Sequence, residues 1–367
     1  MCALRVLTRS VCSRSYAKIS KPYLTLNFIT NQYQHQTRRN LILDSSASEF
    51  VKLHKLTGPD SGIVEVSLDR PEAKNAIGKD MLRGLRHAFE LINENSYANV
   101  AMISSLVPGV FCAGADLKER RAMSPSEVRI FVNSLRSTLS FLEAVRVPTI
   151  AVLEGVALGG GLEMALACDI RICGENALMG LPETGLAIIP GAGGTQRLPR
   201  LVGKATAKDI IFTGRKIDGK EALSIGLVNY CVHTGEAYSK ALAIARDINQ
   251  KGPVAIRMAK RAINEGVETD LTSALDLEED CYDQVLNTKD RLEGLAAFAE
   301  KRKPRYTEPG VTLLDEEVSL QFAGANLFLF EYSHIFPKLK NSKFSFMFPG
   351  NKLFCLGAWS KTCGDSA

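Results

Sequence analysis

No acidic residue occurs in the first 43 positions of this 367-residue chain, which carry Arg5, Arg9, Arg14, Lys18, Lys21, Arg38 and Arg39. A segment rich in Arg, Ser and Thr and free of acids has the character of an organelle transit peptide. No long apolar run follows its first charges, which argues against a secretory signal. Import into the mitochondrial matrix is therefore expected, with chloroplast import as the alternative. Without those seven cations the formal charge of +5 becomes −2. Nothing in the remainder demands nucleic acid or an acidic surface.

Nowhere do about 18 apolar residues follow one another, so no membrane span is expected. The nine cysteines are scattered without a C-x-x-C pair. Cys112, Cys168 and Cys173 stand in apolar company and read as small core residues of a reducing compartment. The five histidines (His35, His54, His87, His233, His334) show no metal-ligand spacing. A strand-to-helix G-x-G-x-x-G and a G-x-S-x-G are both missing, against a nicotinamide enzyme and a serine nucleophile elbow. Gly214–Lys220 has phosphate-loop spacing, but Glu221 stands where a metal-binding Ser or Thr belongs.

What is present concentrates in Gly155–Arg197. Gly159, Gly160 and Gly161 precede Glu163, and Gly191, Gly193 and Gly194 follow Glu183. Serial glycines let a backbone approach a ligand closely and aim N–H groups at it. A helix starting there, through Leu162–Ala167, adds its positive N-terminal end. Tight packing of strand against helix is the other reading of such a run. The glutamates tip the balance. Glu163 is framed by Leu162, Met164, Ala165 and Leu166, and Glu183 by Leu181, Pro182, Leu186, Ile188 and Ile189. Glutamates in apolar surroundings are rare unless paired or functional. Backbone donors beside two carboxylates suit an enzyme that holds an enolate and moves protons around it.

Elsewhere the composition is globular, at 46% hydrophobic and 23% charged. Gly62–Leu68 alternates as a half-buried strand, and Lys79–Asn93 sets Leu82, Leu85, Phe89 and Ile92 at helical spacing. Val100–Ser104 is a second strand, followed by a loop over Val110–Asp116. Ser124 and Glu127 form a capping box around Pro125, opening a helix that buries Val128, Phe131, Leu135, Leu139 and Leu142. Thr149–Leu153, Ile170–Cys173 and Leu227–Cys231 read as strands, and Asp218–Ser224 as a short helix. Strands and helices alternating over short connections predict an α/β fold. From Glu236 to Arg302 only helices are expected, with amphipathic stretches over Asp270–Asn287 and Thr288–Lys301. Eight of the sixteen Phe and the single Trp, Trp359, fall in the last 57 residues with no clear period. That end reads as an atypical tail outside the core.

Four pieces stand in order: Arg70-Pro71…Asn75-Ala76, Phe111–Leu117, Gly159–Glu163, and Pro182-Glu183…Arg197. Together, over about residues 50–306, they resemble the crotonase (enoyl-CoA hydratase/isomerase) superfamily. Val107–Arg120 and Thr288–Arg305 are similar to its branch acting on methylglutaconyl-CoA, which includes an AU-rich-RNA-binding member. The resemblance implies a transit peptide and linker (1–48), a spiral of ββα repeats (49–235), a helical trimerisation region (236–306) and the tail (307–367). It implies assembly as a homotrimer or dimer of trimers. It implies an oxyanion hole from the N–H groups of Ala115 and Gly160, with Glu163 activating water and Glu183 protonating the α-carbon. Lys74, Ala76, Ala113, Asp116, Leu117 and Lys118 would contact the acyl-CoA. No metal or redox cofactor is implied, coenzyme A being part of the substrate. The expected reaction is hydration of 3-methylglutaconyl-CoA in leucine breakdown or of a short-chain enoyl-CoA in fatty-acid oxidation. An isomerase of the same fold is the alternative. RNA binding through Lys74, Lys79 and Arg83 is expected to be weak, because Glu90, Glu94 and the Asn/Ser/Tyr stretch that follow are not basic.

Overall fold

The computed structural model describes residues 47–94, 97–306, 345–347 and 353–355. The expected transit segment up to residue 46, and most of the tail, lie outside the described residues. The chain divides into two units, Met1–Leu313 and Leu314–Ala367.

In the first unit β1 (Val51–Lys55) runs antiparallel to β2 (Ile63–Leu68), which leads to helix α1 (Lys79–Glu94). One pattern then repeats. β3 (Val100–Ser105) joins a large sheet, β4 (Val110–Cys112) joins a small one, and α2 (Leu117–Arg121) and α3 (Pro125–Glu143) lead back. β5 (Thr149–Leu153), β6 (Val156–Leu158) and α4 (Gly160–Leu166) do the same. So do β7 (Ile170–Gly174), β8 (Met179–Gly180), α5 (Gly194–Val202) and α6 (Lys204–Thr213). After α7 (Gly219–Ser224), β9 (Tyr230–Val232) completes a six-stranded sheet of order β1-β2-β3-β5-β7-β9. Every pair after the first is parallel, and β4-β6-β8 form a second parallel sheet. This is the α/β crotonase spiral of ββα repeats expected from the resemblance.

The central strands are buried on both faces, as parallel strands covered by helices must be. One core, around Leu85, Phe89, Phe111 and Leu139, fills the space between the sheets and the helices. The other lies on the far face of the large sheet, where α8 (Ala237–Asn249) rests Ala237, Ala241 and Ala245 on Ile63, Val100, Met102, Ile150, Val152 and Ile172. That alanine stripe, four residues apart, lets the helix lie close to the strands. Cys112, Cys168 and Cys173 are buried and free, as expected of core thiols.

Several details differ from the sequence reading. The strand expected to be half-buried over Gly62–Leu68 is buried at every position of β2, because a parallel neighbour and helices cover both of its faces. The expected loop over 110–116 contains β4, whose Phe111 and Cys112 are fully buried but too few to show a period. The strand expected from Leu227 begins at Tyr230, because the N–H groups of Leu227 and Val228 turn back to the Ala222 carbonyl. Val128 is half-buried, lying in the first turn of α3 before the helix reaches the core.

Helices α9 (Pro253–Gly266), α10 (Leu271–Leu286) and α11 (Lys289–Ala299) follow. Their apolar residues Val267, Leu271, Tyr282, Leu292 and Phe298 are exposed, Phe298 by 87%. A stripe of that size on an unpartnered chain marks an interaction surface. Among the described residues, no helix is long and apolar enough to cross a membrane. In the second unit, β10 (Ser345–Met347) pairs antiparallel with β11 (Leu353–Cys355).

Candidate active site

The first repeats bring two backbone segments side by side. Lys74 and Asn75 both adopt left-handed conformations (φ 52° and 55°). The bend lets the Lys74 carbonyl accept the Ala113 N–H and buries the Asn75 side chain. Asn75 Nδ2 donates to Ser105 Oγ at 2.8 Å and to the Phe111 carbonyl at 2.9 Å, while its Oδ1 accepts the Arg70 N–H at 2.7 Å. Asparagine tolerates this conformation and supplies both donor and acceptor. The bend thereby fixes the segment after β4.

In that segment the Ile77–Ala115 bridge uses the N–H groups of Ile77 and Asp116, leaving that of Ala115 uncommitted among the described residues. Gly160 opens α4, so its N–H has no helical partner either. A methyl group on Gly160 would lie 3.8 Å from the Ala115 nitrogen. Two free N–H groups thus stand together at the floor of one cavity of about 140 Å³.

Glu163, on the first turn of α4, is 2% exposed. Its Oε1 accepts the N–H groups of Ala192 and Gly194, both at 2.8 Å. Burial raises its pKa, and those two N–H groups oppose the rise. Glu183 lies on the 3-10 turn Pro182–Leu186, held by Thr184 Oγ1 donating to the Ile211 carbonyl at 2.7 Å. Burial above all, together with the Glu163 charge, lifts Glu183 to about 7, against its own N–H and Arg120. Glu183 Oε2 is buried with no hydrogen-bond partner among the described residues. One carboxylate is therefore oriented by donors, and the other is kept ready to carry a proton near neutral pH.

Six of the expected site residues line this cavity: Ala113, Ala115, Leu117, Gly160, Glu163 and Glu183. Lys74 and Lys118 are exposed outside its lining, and the Ala76 carbonyl accepts Arg70 Nη1 at 2.9 Å. Asp116 caps α2, its Oδ1 accepting the N–H groups of Lys118 and Glu119. Its Oδ2 pairs with Arg70 Nη1 at 2.9 Å. Burial works to raise the Asp116 pKa, but the Glu119 N–H, the Arg70 guanidinium and the Lys118 N–H outweigh it and hold it low. Asp116→Ala strips the cap and removes the most buried carboxylate partner of Arg70, which keeps Glu72 and the Ala76 carbonyl, so urea unfolding should show about 1–3 kcal/mol lost. Asp116→Asn, which retains the cap acceptor, should lose less. Equal losses would remove the capping role.

The cavity walls add Phe131, Val132 and Leu135 of α3, with Leu186, Ile188 and Ile189. Helical spacing marks Phe131 and Leu135 as inward-facing without telling what they face. A larger hollow of about 450 Å³ lies by Lys260, Asp169 and Arg197. Lys260 is paired there with Asp169 at 2.7 Å, and neither Glu163 nor Glu183 reaches it.

Two carboxylates and two uncommitted backbone N–H groups in one cavity, on a spiral of ββα repeats, are an arrangement able to hold an oxyanion and move protons beside it. Residues 58–309 match the family described as enoyl-CoA hydratase/isomerase. "Probable enoyl-CoA hydratase 2, mitochondrial" of Arabidopsis thaliana is 66% identical over 287 residues, covering 78% of this chain and 94% of that protein. "Methylglutaconyl-CoA hydratase, mitochondrial" of Mus musculus is 48% identical over 273 residues, covering 73% and 87%. The crystal structure of an enoyl-CoA hydratase from Bacillus anthracis superposes with a TM-score of 0.68 at 45% identity, covering 70% of this chain and 99% of that one. The chain belongs to the enoyl-CoA hydratase/isomerase family, and it is an enzyme of the hydro-lyase class.

Proposed function

We propose that this protein adds water across the 2,3 double bond of an enoyl-CoA thioester in the mitochondrial matrix. The presence of both Glu163 and Glu183 in one cavity with the N–H groups of Ala115 and Gly160 carries the reading. The ionised Glu163 takes a proton from water as its oxygen bonds to C3. The electron pair of the double bond moves to the thioester oxygen, where the two N–H groups hold the negative charge. Glu183 then delivers its proton to C2, and the proton on Glu163 returns to Glu183 through solvent. Retention of both carboxylates favours hydration over isomerisation.

The leading substrate is 3-methylglutaconyl-CoA, supported by the 48% identity to a hydratase of that name. A short-chain enoyl-CoA is the alternative. The exposed apolar stripe on α10 and α11 supports a homotrimer or dimer of trimers. Arg83 pairs with Asp80 and Arg86 with Glu90, which neutralises the face that would meet RNA and supports the acyl-CoA reading.

Loss of enoyl-thioester absorbance with crotonyl-CoA and 3-methylglutaconyl-CoA tests the proposal. No turnover of either by oligomeric protein would reject it. The pH profile of kcat/KM should be a bell. Glu163 must be ionised, so activity falls on the acid side. Glu183 must be protonated, so activity falls about tenfold per pH unit above its pKa of about 7. A profile still rising at pH 9 would exclude Glu183 as the proton donor.

A further inference from the structure

Three of the four residues in the loop Gly191–Gly194 are glycine, yet this loop carries the two N–H groups that hold Glu163. Glycine loses more conformational freedom on ordering than any other residue, so the loop must be fixed from outside. Each of its peptide units is held at the carbonyl end. Arg136 Nε of α3 donates to the Gly191 carbonyl at 2.8 Å. Arg197 Nη1 of α5 donates to the Ala192 carbonyl at 3.0 Å. The backbone N–H groups of Gln196 and Arg197 donate to the Gly193 carbonyl at 3.0 and 2.9 Å.

A trans peptide unit is planar, with its N–H and C=O pointing opposite ways. The Gly191 carbonyl and the Ala192 N–H belong to one such unit. It therefore carries the Arg136 guanidinium at one end and the Glu163 carboxylate at the other. Rotating that unit breaks both bonds together. The Gly193–Gly194 unit is tied in the same way between the start of α5 and Glu163. Arg197 is clamped in turn. Its Nε and Nη2 meet the two carboxylate oxygens of Glu143 at 3.2 and 2.7 Å, and its Nη1 occupies the space that a Cβ on Gly193 would need. Arg136 and Glu143 stand seven residues apart on α3, two turns along one face.

We propose that Arg136 and Arg197 are positioning residues for Glu163, holding the Gly191–Gly194 loop so that its N–H groups keep the carboxylate aimed as the base. This deepens the hydration reading, on which it rests, by assigning the support of the base to two side chains away from the reacting atoms. The charged groups acting on Glu163 are Arg136 from α3, Arg197 from α5 and Glu183 from the 3-10 turn. Burial pushes the Glu163 pKa up, and both guanidinium charges join the two N–H groups in opposing it.

The test follows crotonyl-CoA hydration against pH in the wild type, Arg136→Gln, Arg136→Lys and Arg197→Gln, and in Arg136→Gln combined with Glu163→Gln. Arg136→Gln, at an exposed position, should lower kcat about tenfold with KM changed less than about twofold. Its acid limb should move up by at least about half a pH unit, because the ionised base has lost support. Arg197→Gln should do both more strongly. Arg136→Lys, which can still donate to the Gly191 carbonyl, should recover part of the loss. In the Glu163→Gln background, Arg136→Gln should cost less than about twofold, since the group it supports is gone. An unmoved acid limb in both single variants overturns the proposal, even if their unfolding temperatures fall. An undiminished loss in the Glu163→Gln background also overturns it, by showing that the arginines act elsewhere. The carbon-13 resonance of the Glu163 carboxyl, assigned by its loss in Glu163→Gln, reports the same titration without turnover. If its midpoint rises in Arg136→Gln while the wild type hydrates no thioester, the hydration reading fails and the positioning role stands. An unchanged midpoint beside normal wild-type turnover has the opposite meaning.

Discussion

Glu163→Gln is expected to reduce crotonyl-CoA hydration by about 10³-fold while leaving the fold intact. A positioned general base contributes on the order of 10²–10⁴-fold, and glutamine at neutral pH cannot take the proton from water. The structural cost is small, because glutamine has the same shape. Its amide oxygen can keep the bonds from the Ala192 and Gly194 N–H groups, so the loop carrying those glycines stays in place. Loss of turnover with unchanged thermal unfolding and unchanged affinity for a saturated acyl-CoA is therefore the expected combination. The substitution also removes one charge that holds Glu183 up. The alkaline limb of any residual activity should accordingly move below pH 7. Activity within tenfold of wild type would sink the two-carboxylate mechanism, whatever the stability measurement showed.

Those two glutamates are legible because each interrupts an apolar run. The capping box at Ser124 is equally legible, since all its determinants lie within four residues, and both halves of it form. Parts of the site that depend on distant partners are not. Asp116 beside Lys118 suggests a polar loop open to substrate, but its carboxylate is taken by Arg70 and by the start of α2. Lys74 lies in a left-handed bend whose purpose is visible only once Asn75 is seen bonded to Ser105 and Phe111. Within Lys118-Glu119-Arg120-Arg121 nothing local singles out Arg120. Only the tertiary fold shows that it borders the cavity while Glu119 Oε2 accepts the Lys79 N–H at 2.9 Å. Short-range chemistry survives in the sequence; pairings across the spiral need coordinates.

Gly161→Ala should be the most damaging single change in the glycine run, although Gly161 supplies no catalytic group. A Cβ there would lie 2.3 Å from the Cys112 carbonyl oxygen and 2.8 Å from the Cys112 Cβ. Those are contacts with the end of β4, which cannot swing aside as a long side chain would. The helix start must therefore retreat from the segment Ala113–Ala115, and the Gly160 N–H retreats with it. Overpacking of this kind costs about 1–3 kcal/mol of stability. Misplacing one oxyanion donor lowers kcat by about 10²–10³-fold. Gly160→Ala is the informative control. Its Cβ would meet Ile77 Cδ1 at 3.4 Å and Leu135 Cδ2 at 3.6 Å, which is ordinary side-chain contact. Gly159→Ala falls between them, because Gly159 holds φ at +51° and its Cβ would approach Glu183 Oε1 at 3.1 Å. The expected order of loss in kcat/KM is Gly161→Ala, then Gly159→Ala, then Gly160→Ala, with urea midpoints falling most for Gly161→Ala. If Gly160→Ala proves as damaging as Gly161→Ala, then close approach of α4 to β4 does not set the oxyanion hole. Small size at the donor itself would be the controlling factor instead.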